Sequence, residues 1–164
     1  MIVRAADRDD ATAAAYIYNH YIATSHATFE TEPIGGGEML RRITDGRERG
    51  YPFLVAADGT DVVGYAYGRE YRLRAAYRQS IEVSVYIRPG HDGYGIGSAL
   101  YDKLLSEISK EDFHAVIAGV ALPNDASVRL HEKLGFEKVA HFREVGRKFD
   151  RWIDVGYWEL LIRK

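Results

Sequence analysis

The run from Ile81 to Leu105, IEVSVYIRPGHDGYGIGSALYDKLL, sets an apolar strand, a glycine-rich turn and an amphipathic helix in direct succession. Val83, Val85 and Ile87 give the strand its β-branched, alternating character. Gly90, Gly93, Gly95 and Gly97 remove the Cβ where the backbone must approach a ligand. Ile96, Leu100, Leu104 and Ile108 recur at helical spacing, so the glycines stand at a helix N-terminus. Free N–H groups and the positive end of the helix dipole make that terminus a site for phosphate. The stretch is expected to hold a pyrophosphate against the end of a strand.

Phosphate-binding turns differ in detail. A Walker A loop carries Lys and Ser/Thr after its last glycine, whereas Gly97 is followed by Ser98 and Ala99. The dinucleotide fingerprint spaces its glycines G-x-G-x-x-G, and here Gly93 to Gly97 read G-x-G-x-G. The window Asp92 to Gly97, DGYGIG, resembles motif A of the GNAT superfamily of N-acetyltransferases, whose turn reads Q/R-x-x-G-x-G/A. Asp92 departs from that pattern, being an acid where the family has Arg or Gln. An acid beside a pyrophosphate repels it, so weakened cofactor affinity is the expected consequence.

Composition narrows the class. A chain of 164 residues, 46% hydrophobic and 28% charged, has the size and make-up of one soluble domain with a real core. Its formal net charge of −2 argues against a partner held mainly through nucleic-acid phosphates. No apolar run reaches membrane-spanning length, and MIVRAADRDD lacks a signal-peptide pattern, so neither a membrane nor export is expected. Having no cysteine, the chain has no disulfide, thiolate metal site or thiol nucleophile, as fits a reducing cytoplasm. His20, His26, His91, His114 and His141 show no metal-ligand spacing, and no metal is expected.

Along the chain, Ile2 to Arg4 opens a strand, and Asp7 or Asp9 caps a helix running to about Ala23. A loop from Thr24 to Pro33 precedes Gly35-Gly36-Gly37 and a second helix through Met39, Leu40 and Ile43. Phe53 to Ala57 and Val62 to about Tyr71 read as a hairpin turning at Asp58-Gly59. After the central strand and helix come a strand from Ala115 to Leu122, a helix from Ala126 to Leu134 stopped by Gly135, and strands near Val139–Val145 and Val155–Ile162. This order predicts one mixed α/β (α+β) domain over residues 1–164, without repeats or linkers.

Leu122 to Phe136, LPNDASVRLHEKLGF, resembles motif B of the same superfamily, with Asn124 opening a helix. Arg129 and Lys133 add positive charge near the cofactor. The two motifs stand in the right order and spacing. The segments ATFETEP, IEVSVYI, PNDASVRLHEKLGF and GRKFDRWIDVGYWEL further resemble the phosphinothricin and methionine sulfoximine acetyltransferases over nearly the whole chain. The resemblance implies a GNAT fold, a mixed and mostly antiparallel central sheet flanked by helices. It implies transfer of acetyl from acetyl-CoA to the α-amine of a small amino-acid analogue such as phosphinothricin, methionine sulfoximine or methionine sulfone. It also implies a homodimer; the mechanism expected is direct transfer in a ternary complex, with no acyl-enzyme.

Residue roles follow from the same match. Glu82, on the strand face opposite Val83 and Val85, is the expected proton acceptor for the amine, since an ammonium cannot attack until it is neutral. His131 stands where many relatives carry a Tyr that protonates the departing thiolate; imidazole can also take a proton from an amine. Pantetheine is expected along Val85, Tyr86 and Ile87, with a strand N–H facing the developing oxyanion. The turn Gly93, Tyr94, Gly95, Ile96, Gly97 and Ser98 is expected to hold the pyrophosphate, and Asn124 and Ser127 to lie beside the cofactor. Phe29, Tyr67, Arg74, Tyr77 and Tyr86 match positions lining the acceptor pocket, Arg74 being suited to a carboxylate or phosphinate. Arg72 and Arg78 lie in the same segment and can equally form a solvated face. Trp152 and Asp154 match the family tail and suit core or dimer packing.

Two alternatives remain at this point. One keeps the superfamily and changes the acceptor to a polyamine, an aminoglycoside or a peptide N-terminus; cationic acceptors favour an acidic pocket, which the arginine cluster opposes. The other is a catalytically weak domain that binds acyl-CoA, for which Asp92 speaks and the pair Glu82 and His131 speaks against.

Overall fold

A computed structural model describes residues 1–163. Seven strands form one sheet: β1 (Ile2–Ala5), β2 (Phe53–Asp58), β3 (Asp61–Glu70), β4 (Ser80–Ile87), β5 (Ala115–Leu122), β6 (Glu137–Lys148) and β7 (Arg151–Leu161). Four helices accompany them: α1 (Ala11–Thr24), α2 (Gly36–Glu48), α3 (Ile96–Ser109) and α4 (Asp125–Lys133). The sheet order is β1-β2-β3-β4-β5-β7-β6. Among the described residues only β4 and β5 run parallel; every other neighbouring pair is antiparallel. The expected class, a mixed and mostly antiparallel sheet flanked by helices, is the one found.

Alternation along the strands makes two cores. Leu54, Val63, Val83, Val116, Val120 and Trp158 face Leu100, Leu104 and Ile108 of α3. Val55, Tyr65 and Tyr86 face the other way, against Ile17 and Tyr18 of α1 and Met39 and Ile43 of α2. Leu100, Leu104 and Ile108 have no exposed surface, and each such burial contributes about 1.5–3 kcal/mol.

Two elements differ from expectation. The first helix is preceded by a separate 3-10 turn at Arg8–Asp10, because Asp7 accepts from the Asp9 N–H while Asp10 reaches back to the Asp7 N–H. That reciprocal cap closes a tight turn, and α1 starts only after it. The last hairpin is longer than its apolar pattern suggests. Most of β6 is exposed, so it carries little hydrophobic alternation to read. It pairs with β7 through a two-residue turn in which Phe149 and Asp150 both take positive φ, 51° and 57°.

Candidate active site

β4 and β5 pair only from Ser80–Glu82 to Ala115–Ile117, then separate. The gap is a groove of about 450 Å³ whose walls include Val83 to Ile87 on one side and Gly119, Val120 and Ala121 on the other. At its outer end Gly93 and Gly95 take φ of 82° and 76°, backbone that a Cβ would strain. The Ala99 N–H bonds to the Gly95 carbonyl at 3.0 Å, which leaves the N–H groups of Ile96, Gly97 and Ser98 at the open end of α3. Asn124 caps α4 by accepting from the Ser127 N–H at 3.2 Å. Arg129 and Lys133 also line the groove. Backbone donors, two cations and a strand edge form a donor set suited to a pyrophosphate with an amide-bearing arm.

The residues expected around the cofactor are thus brought together: Val85, Tyr86, Ile87, Gly93, Gly95, Ile96, Gly97, Ser98, Asn124 and Ser127 all line the groove. Tyr94 does not; its side chain is 78% exposed at the turn. Asp92 is exposed at the groove's rim. The Ile87 carbonyl accepts from the Tyr21 hydroxyl, which fixes the far end of β4 to α1.

His131 lines the same groove but is buried, 3% exposed. Its Nδ1 lies 2.7 Å from the Ser127 carbonyl, which can only accept, so Nδ1 carries the hydrogen. Nε2 then offers its lone pair to the Tyr101 hydroxyl at 2.9 Å. Burial pushes the imidazole below its ordinary value, outweighing the support from Ser127. Burial thus disfavours the charged ring, and the Ser127 carbonyl fixes the tautomer of the neutral one.

A second cavity, about 830 Å³, adjoins the groove on the α1–α2 side of the sheet. Ala27, Ser84, Tyr86, Gly119 and Ala121 line both, so the two spaces communicate across β4. Glu82 opens into the second cavity, on the face opposite Val83, as its strand position predicts. Arg69, its cross-strand neighbour, donates from Nη2 to Glu82 Oε1 at 2.8 Å. Burial pulls the Arg69 guanidinium down, and the bond and charge of Glu82 carry it above its ordinary value. Phe53, Tyr65, Tyr67 and Tyr86 form an aromatic wall. The Tyr65 hydroxyl within it has no hydrogen-bond partner among the described residues.

The loop between α1 and α2 closes one side of the cavity. Arg42 grips Glu30 with two bonds, 2.7 and 2.9 Å, and Tyr18 also donates to Glu30. Arg42 first, then Tyr18, hold that carboxyl below its usual range against a burial penalty. Phe29 lies against Gly146 of β6, where a Cβ would come within 2.3 Å of the ring. Lys148 is buried, its ammonium donating to the Ser25 and Thr28 carbonyls at 2.7 and 2.8 Å.

Of the expected acceptor residues, Phe29, Tyr67 and Tyr86 line the cavity and Arg74 and Tyr77 do not. Both stand exposed beside or within a short 3-10 turn, Ala75–Tyr77, ahead of β4. Asp154 is occupied by His141 at 2.8 Å and by the Glu144 N–H at 2.8 Å, bracing the β6 irregularity. Trp152 is 60% exposed under the Arg147 guanidinium. Sequence reading missed Arg69, the Arg42–Glu30 pair and Lys148. Each joins segments far apart in the chain, and no local spacing announces them.

Residues 3–156 match the family model described as Acetyltransferase (GNAT) domain. A phosphinothricin N-acetyltransferase of Streptomyces coelicolor is 42% identical over 160 residues, 96% of this chain and 94% of the relative. An L-methionine sulfoximine/L-methionine sulfone acetyltransferase of Salmonella typhimurium is 35% identical, covering 98% and 94%. The solved structure of a GNAT superfamily phosphinothricin acetyltransferase from Sinorhizobium meliloti in complex with AcCoA superposes with a TM-score of 0.95. It is 33% identical, with 98% of this chain and 88% of that one covered. With a sheet splayed at β4 and β5, a glycine cradle on α3 and kinship along nearly its whole length, this chain belongs to the GNAT family of acetyl-CoA-dependent N-acetyltransferases.

Proposed function

We propose that the chain acetylates the α-amine of a small zwitterionic amino-acid analogue, phosphinothricin, methionine sulfoximine or methionine sulfone, by direct transfer in a ternary complex. The observation that carries this reading is the junction of the two spaces. Ser84 and Tyr86 line both the glycine-ended groove and the cavity that holds Glu82. An acyl donor in the groove and an amine at Glu82 would meet there without an acyl-enzyme.

Glu82 binds the ammonium and takes its first proton. His131, neutral with its lone pair on Tyr101, takes the next one through that hydroxyl and returns it to the leaving sulfur. The N–H groups of Ile96, Gly97 and Ser98 hold the pyrophosphate, and Arg129 and Lys133 add charge. Acetyl-CoA supplies the activated acetyl group. Phe29, Tyr67 and Tyr86 shape the acceptor site; Arg74 and Tyr77 are proposed to approach it from the segment before β4. Burial and then the charge of Glu82 raise the Tyr157 hydroxyl, which lines the cavity, and Arg72 of that segment lowers it by less.

Residues 1–164 are proposed to form one acetyltransferase domain acting in the cytoplasm. No helix among the described residues is long and apolar enough to cross a membrane. A homodimer is proposed through the last hairpin, where Val139, Phe142, Val145, Phe149 and Trp152 are each more than half exposed. Sedimentation at several concentrations tests the dimer, and a constant monomer mass would refute it.

The functional test is acetyl-CoA-dependent thiol release with phosphinothricin, methionine sulfoximine, methionine sulfone, common amino acids, spermidine and an aminoglycoside. Saturable turnover on any of the first three is expected. Turnover confined to spermidine or the aminoglycoside would replace the acceptor class.

A further inference from the structure

Four arginines line the acceptor cavity, and three have partners that the chemistry leaves alone. Arg41 bonds to Glu38 and Asp45, Arg42 to Glu30 and Glu38, and Arg49 to Glu70. The fourth, Arg69, is bonded to Glu82, the carboxylate that the reaction needs. It stands opposite Glu82 in the β3–β4 ladder, with its side chain 58% exposed and that of Glu82 16% exposed. An ammonium arriving at Glu82 therefore meets a seat already taken by a guanidinium.

We propose that Arg69 determines acceptor specificity by ion-pair exchange: it neutralises Glu82 in the free protein and passes to the acceptor's α-carboxylate when the α-ammonium takes its place. This rests on Glu82 being the amine-binding group. In an α-amino acid the nitrogen and the carboxyl carbon share one carbon, so the acceptor's two charges are spaced to slip between Glu82 and Arg69. A planar guanidinium is also the side chain best matched to a carboxylate. The zwitterion replaces the one resident pair by two new ones. A simple amine breaks the same pair and leaves Arg69 without an anion in a partly enclosed cavity. Arg69 is more than half exposed, so water offsets part of that loss, and the discrimination expected is about 2–10-fold in kcat/KM.

The experiment compares methionine sulfone with its decarboxylated amine as acceptors for the wild type, Arg69→Ala, Arg69→Lys and Arg74→Ala. The wild type is expected to prefer the amino acid by about 2–10-fold. Arg69→Ala should erase that preference, kcat/KM for the amino acid falling further than that for the decarboxylated amine, and Arg69→Lys should restore part of it. An intact preference in Arg69→Ala, or its loss in Arg74→Ala alone, overturns the role of Arg69. So does an equal fall in kcat for both acceptors, which marks a purely structural effect. If the wild type acetylates spermidine but neither compound, the amino-acid reading itself fails and the exchange with it.

Discussion

The groove and the acceptor cavity share Ser84 and Tyr86 yet are built on opposite plans. The groove offers mainly backbone: N–H groups at the start of α3 and the strand edge left bare where β4 leaves β5. Backbone donors are fixed by secondary structure, so the groove is preformed and indifferent to most side-chain changes. The cavity offers side chains, and its charges are already paired: Arg69 with Glu82, Arg42 with Glu30, Arg49 with Glu70. An acceptor entering it must exchange partners rather than fill open ones. One half of the site is thus suited to a constant donor, and the other to discriminating among acceptors.

The largest test of this division is Glu82→Gln. It keeps the side-chain shape but removes the proton acceptor, and turnover should fall by about 10²–10⁴-fold with acetyl-CoA affinity unchanged. Stopped-flow turnover beside calorimetric titration of acetyl-CoA checks both halves. Unaltered turnover would remove Glu82 from the chemistry.

The opposite pattern is expected from Gly95→Val. A β-branched residue at φ 76° is strained, and the cradle should relax at a cost near 1–2 kcal/mol, or about 5–30-fold in acetyl-CoA affinity. KM for the acceptor should stay put. If both ligands weaken together, the two spaces are not separable and the comparison fails.

Legibility in the sequence follows the same line. The groove could be read because its parts are contiguous: strand, glycines and helix succeed one another from Ser80 to Ser109, and Asn124 announces its own helix. The succession of elements was readable for the same local reasons, whereas the mostly antiparallel sheet came from the family resemblance and its strand order from the structure. The cavity was only half readable. Glu82 lies on a strand whose faces alternate, while Phe29, Tyr67 and Tyr86 came only from the family resemblance. Arg69 meets Glu82 through a ladder register that the long β3–β4 connection conceals, and Lys148 reaches Thr28 across 120 residues. Arg74, favoured by resemblance, stands outside the cavity because the 71–79 segment runs exposed past it.

Lys148→Met sharpens the comparison from the side of the fold. Its ammonium is the tie between the end of β6 and the loop that carries Phe29 and Glu30, and burial already pushes its pKa down. Methionine keeps the length and strands the Ser25 and Thr28 carbonyls, a loss of about 1–3 kcal/mol. The loop then loses its seat on β6, and acceptor KM should rise about 3–10-fold, since small misplacements of a positioning element are felt strongly. Acetyl-CoA affinity should change less, because the glycine turn lies on α3 and Ala27 is the loop's contribution to the groove. A uniform loss of both affinities would instead mean that Lys148 supports the whole sheet.

The smallest effect is expected at Asp92, where the groove departs from the family pattern. The side chain is exposed at the rim, so water and salt screen it. Asp92→Arg replaces a repulsive charge by an attractive one beside the expected pyrophosphate, and acetyl-CoA should bind about 2–5-fold more tightly at low ionic strength. The gain should fade as salt is raised, and acceptor KM should not move. A salt-independent gain would mean a specific new hydrogen bond rather than a field effect. No gain at any salt would mean that Asp92 turns away from the phosphates, and that the glycine backbone alone sets affinity at this end of the site.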